Sequence, residues 1–154
     1  MPRRIGALAV VAMLGIAGGD RAVAQANFVP LVDVLEKSTE GETYPFVRCV
    51  ALYLSLINGL GVVLEQDVSD AAFEISVCLA TLAAELRMDA DDVSVDTAAF
   101  QIRGEIAALV ELCQSRMKAN EEAGRDMIGG DELYDSDIAT CGDFVQIVSD
   151  AGFL

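Results

Sequence analysis

PFVRCVALYLSLINGLG, residues 45–61, is the stretch that sets the architecture. Pro45 suits the first turn of a helix, where its missing N–H is not needed. Phe46, Cys49, Val50, Tyr53, Leu56 and Ile57 follow at the i, i+3, i+4, i+7 spacing of a helix. Asn58-Gly59-Leu60-Gly61 then bends or stops it, since each glycine weakens a helix by about 1 kcal/mol. The stretch therefore reads as a long apolar helix with Arg48 as its one charge.

The same periodicity recurs on both sides. Upstream, Pro30 opens a short run with Leu31, Val34 and Leu35 on one face, and the polar stretch Ser38–Tyr44 follows as a loop. Downstream, Ser69 or Asp70 can cap a helix carrying Phe73, Val77, Leu79, Leu82, Ala83 and Leu86. Past the acidic connector Asp89–Val95, Asp96 or Thr97 can cap a helix bearing Phe100, Ile106, Leu109, Val110, Cys113 and Met117, which stops before Gly124. A last helix runs from Asp131 or Asp135 to Asp150 with Ile138, Cys141, Val145 and Val148 inward. There is no repeat, no low-complexity tract and no clear strand. The expected fold is all-α, a small up-and-down bundle of four to five helices.

The first 26 residues have a different character. Arg3 and Arg4 precede an apolar run, Ile5 to Ala17, and Ala24-Gln25-Ala26 offers the small-x-small pattern that signal peptidase reads. About 13 apolar residues fall short of the roughly 20 that a membrane span needs. The expectation is a signal peptide at 1–26 and one helical domain at 27–154, released to the periplasm or secreted. No membrane insertion is expected after cleavage.

Four cysteines lie in the expected mature chain, one per long helix: Cys49, Cys78, Cys113 and Cys141. In an oxidising compartment they are expected to pair. If helices follow one another up and down, Cys49 meets Cys78 and Cys113 meets Cys141 at matched heights, so two disulfides staple sequential neighbours. Their wide spacing lacks the CxxC pairs of a zinc site.

The whole chain carries a net charge of −15. Removing three arginines and one aspartate with residues 1–26 leaves −17 on the mature chain. Such a charge repels nucleic acid and anionic membrane surfaces; it favours solubility, a cationic partner such as a basic protein, or plain acidic adaptation of an exported protein. The chain has no histidine, which excludes imidazole general bases, Ser-His-Asp triads and His-ligated metals. Glu74, Glu85, Glu105 and Glu111 remain for acid–base work, but nothing in their spacing singles out a catalytic pair. The acidic stretches opening at Asp89 and Asp131 depart from the calcium-binding loop pattern within a few residues. No cofactor, metal or catalytic residue is expected.

Arg48 and Arg103 adjoin apolar stripes, where each can meet a carboxylate at the edge of the core. Tyr44, Arg48 and Tyr53 together form the first place to look for a binding patch, because tyrosine and arginine are enriched at interface hot spots. The expected function is that of an exported, non-enzymatic binding module for a protein partner in the cell envelope. An acid- or envelope-stress chaperone and a small carboxylate-based enzyme are the alternatives. Exported, cysteine-stapled helical domains occur among several small periplasmic families, but no motif here matches one of them.

Overall fold

The computed structural model describes residues 28–37, 41–61 and 63–154. The expected signal peptide therefore lies outside the described residues. Among the described residues five helices follow in order: α1 (Leu31–Lys37), α2 (Tyr44–Leu60), α3 (Gln66–Asp91), α4 (Val95–Glu122) and α5 (Glu132–Asp150). Among the described residues there is no strand, as the all-α reading required.

The helix ends follow local chemistry. Pro45 lies in the first turn of α2, which ends at Leu60 in the glycine-bearing segment expected to stop it. The Ser94 side chain caps α4 by accepting from the Thr97 N–H. Asp131 caps α5 in the same way through Leu133. α3 is longer than the spacing suggested: it starts before Ser69 and continues through Asp89–Asp91, and Asp92 takes the left-handed turn that ends it (φ 50°).

α2 is the axle. Val47 to Leu52 are all buried, an unbroken run that only a helix covered on every side can show. α3 runs antiparallel to it, with Arg87 donating to Thr43 Oγ1 at 2.8 Å. α4 runs parallel to it, close enough that a Cβ on Gly59 would stand 3.1 Å from Met117 Sδ. α5 crosses its remaining face antiparallel, with Phe144 edge-on to Phe46 at 5.7 Å. α5 begins against α4, where the Tyr134 hydroxyl donates to the Cys113 carbonyl at 2.6 Å. Past its end the Phe153 carbonyl reaches Cys78 Sγ on α3 at 3.4 Å.

This arrangement overturns the expected pairing of cysteines. One disulfide is present, Cys49–Cys141, spanning 92 residues with a Cα–Cα distance of 5.4 Å. Cys78 and Cys113 are free thiols, so neither Cys49–Cys78 nor Cys113–Cys141 forms. Direction around the helix axis, more than height along it, is what defeats the sequential pairing. Cys49 is on the face of α2 that α5 covers, whereas Cys78 is turned to the C-terminal tail. Cys113 is fully buried, and burial pushes its thiol up to about 11 despite the pull of nearby Arg48.

Candidate binding groove

Two places in this frame carry side chains of unusual character. The first surrounds Arg48. The structure makes it the largest fully buried side chain, paired with Asp137 of α5. Arg48 Nε donates to Asp137 Oδ2 at 2.7 Å, and the other carboxylate oxygen accepts the Leu31 N–H at 2.7 Å. The guanidinium lies 3.4 Å above the Phe28 ring centroid and donates to the Val29 carbonyl. Its third nitrogen is 3.4 Å from the Tyr44 hydroxyl. A buried charge is tolerable only when paired and hydrogen-bonded throughout, and here that requirement ties residues 28–31 to α2 and α5. Tyr44 is thus brought to Arg48, at the start of α2. Tyr53, farther along α2, is half-buried, with its hydroxyl pKa raised by burial. The expected carboxylate partner of Arg48 is found; that it would be Asp137 had no sequence signal beyond an acid one turn before Cys141.

The connector between α4 and α5 is similarly self-contained. Arg116 makes two 2.7 Å bonds to Asp131, and Asn120 adds a third at 2.8 Å. Burial alone would raise the Asp131 carboxyl; Arg116, Asn120 and the Leu133 N–H outweigh it and hold it at about 2. The acids expected at Asp131 therefore cap and pair. Among the described residues no cluster of three histidine, cysteine, aspartate or glutamate side chains is arranged to hold a metal ion.

The second place is a groove of about 600 Å³ between α3 and α4. Phe73, Ser76, Val77 and Ala80 form one wall, and Arg103, Ile106, Ala107 and Val110 the other. Val50, Leu54 and Asn58 of α2 form the floor. Phe73 is 57% exposed and Val77 51%, although both have the spacing of core residues. α3 explains why. It carries two adjacent stripes: Ser76, Leu79 and Ala83 are buried, while Phe73, Val77 and Ala80 look into the groove. An apolar arc this wide needs more covering than α2 supplies. The sequence reading puts Phe73, Val77, Leu79 and Ala83 on one apolar face, and so misses the groove. The width of the arc was the available signal.

The groove is chemically plain. Its lining has no carboxylate, thiol or tyrosine, and the Ser76 hydroxyl is spent on the Ala72 carbonyl at 2.8 Å. Arg103, whose Nε bonds its own helix at the Ala99 carbonyl, supplies the one charge. A surface of this kind buries apolar groups and orients them by a single cation. The chain matches no family model, no curated protein and no solved structure with which it was compared.

Proposed function

We propose that this protein is an exported, non-enzymatic acidic binding module of the cell envelope, and that the groove between α3 and α4 is where it takes a protein partner. The observation that carries the reading is the exposure of Phe73 and Val77, two core-type side chains facing an apolar trough. Contiguous exposed apolar surface of this kind marks interaction sites. The Cys49–Cys141 bond suits an oxidising compartment, and among the described residues no helix is long and apolar enough to cross a membrane. The lining, without carboxylate, thiol or tyrosine and with the Ser76 hydroxyl bonded to the Ala72 carbonyl, favours binding over turnover.

The test places a photo-crosslinking residue at position 73 and, as a control, at the exposed Ala139 on α5, in the native cell. Position 73 should give a discrete protein adduct that Val77→Asp removes, and position 139 none. Absence of any adduct at 73, or the same adducts at both positions, refutes the reading.

A further inference from the structure

The groove's shape and polarity point to one kind of occupant. Each wall presents side chains at i, i+3, i+4 and i+7, from Phe73 to Ala80 on α3 and from Arg103 to Val110 on α4. That is the spacing a facing helix meets when its side chains seat between those of two others. Seven residues of helix span about 10 Å. Over that length a volume of about 600 Å³ leaves a wide cross-section, which accepts a row of branched side chains and leaves a single hydrocarbon chain loose.

Charge divides between the two ends. α3 and α4 are joined by the short connection at residues 92–94 and run antiparallel, so Phe73 and Val110 lie towards one end of the groove and Ala80 and Arg103 towards the other. At the Phe73 end, Asp70 stands one turn earlier on the same face, with Glu74 beside it, both exposed. At the other end is Arg103, which has no carboxylate within ion-pair distance among the described residues. A helix carries partial positive charge at its N-terminus and partial negative charge at its C-terminus. An occupant helix is therefore favoured in one direction, its N-terminus among the acids and its C-terminus at Arg103.

We infer that the groove binds a two- to three-turn amphipathic helix of the partner protein. The helix has apolar anchors at i, i+3 or i+4, and i+7 and basic residues on its N-terminal flank, and it lies parallel to α3 with its C-terminus at Arg103. This rests on the groove being the binding surface, and it adds the partner's chemistry and direction.

The experiment uses residues 27–154 and three synthetic helical peptides, stapled on their solvent face so that helicity is equal. One has three leucine anchors and two lysines at its N-terminal flank; the second moves the lysines to the C-terminal flank; the third replaces the leucines by glutamine. Because the protein has no tryptophan, a tryptophan in each peptide reports binding by fluorescence, and amide shifts locate it. The first peptide should bind and shift Phe73, Val77 and Val110. The second should bind about two- to thirtyfold more weakly, because its two lysines then face Arg103 and leave the acids at the other end unpaired. Arg103→Glu should shrink or invert that preference, while Phe73→Asp should abolish binding without lowering the melting temperature. Equal affinity for both charge orders overturns the direction, and equal binding of the glutamine peptide overturns the anchors. If laurate shifts the groove residues and no peptide does, the helical occupant is wrong and the groove remains a binding surface. If no probe shifts these residues and the residue-73 crosslink is also absent, the groove reading itself falls.

Discussion

Replacing Asp137 by leucine strands Arg48, the largest fully buried side chain among the described residues. Arg48 and Asp137 are each 1% exposed and meet at 2.7 Å. Removing one partner of such a pair leaves an uncompensated buried charge and costs about 3–5 kcal/mol. The Leu31 N–H loses its acceptor in the same step, which adds about 1 kcal/mol or more. Against the ~5–15 kcal/mol that holds a typical domain together, Asp137→Leu should lose about a quarter of the stability or more. Arg48→Met strands the carboxylate instead and should cost a similar amount. The double variant R48M/D137L carries no buried charge and keeps similar volume. It should lose only about 1–3 kcal/mol, for the orphaned Leu31 amide and the freed Val29 carbonyl, and so be more stable than Asp137→Leu alone. Urea unfolding of oxidised 27–154, followed by far-UV circular dichroism, gives all three values. Hydrogen exchange at Leu31 should quicken in every variant that lacks Asp137. A loss below about 1 kcal/mol for Asp137→Leu, or a double-variant loss equal to the sum of the singles, would refute the reasoning.

Other expectations follow from the same contacts. Peptide mapping without reduction should link Cys49 to Cys141, alkylation of the folded protein should label Cys78 first, and Cys113 should react only on unfolding; C49A/C141A should cost about 4–5 kcal/mol on the chain-entropy estimate for a 92-residue separation. Asp131 is held below the ordinary carboxylate range, so its contribution is present above about pH 4 and is lost as pH falls towards 2. Asp131→Asn should flatten that part of the stability profile by about 1–2 kcal/mol, after allowance for partial exposure; an unchanged profile argues against the Arg116 pair. Gly142 sits inside α5 with nothing within 4 Å of a would-be Cβ, so Gly142→Ala should stabilise by about 0.5–1 kcal/mol in thermal melts. Intact mass of the exported protein should begin at Asn27, and retention of Met1 in a membrane fraction would overturn the export reading.

The helices were legible because hydrophobic period and punctuation agree: Pro45 opens α2, the Asn58–Gly61 segment closes it, and Asp131 caps α5. The order of packing was not. Periodicity tells which face of a helix is apolar but not which neighbour covers it, so sequence order pairs Cys49 with the next helix, whereas α5 is the one that reaches it. The unbroken burial of Val47–Leu52 was foreshadowed by the apolar character of 45–61 on every side, and a helix of that kind has more than two neighbours. The groove escaped for a related reason. Phe73 and Val77 have core spacing, and exposure depends on a neighbour that is missing. Arg48 was marked as unusual by its setting in an apolar helix, yet spacing cannot distinguish an arginine that faces a partner from one sealed inside.

The 92-residue reach of the disulfide bears on how the molecule is made. Under the export proposed above, the chain would present Cys49 to the oxidising machinery first, then Cys78 and Cys113, and Cys141 last. Oxidation in order of arrival would join Cys49 to Cys78, a pair that the finished fold separates, and would leave Cys141 to seek Cys113. The native bond requires either that Cys49 wait until α5 has emerged and crossed α2, or that an early bond be reshuffled by thiol–disulfide exchange. Yield in an oxidising compartment should therefore depend on an isomerase, and replacing Cys78 and Cys113 by serine or alanine, which removes the competing thiols, should relieve that dependence.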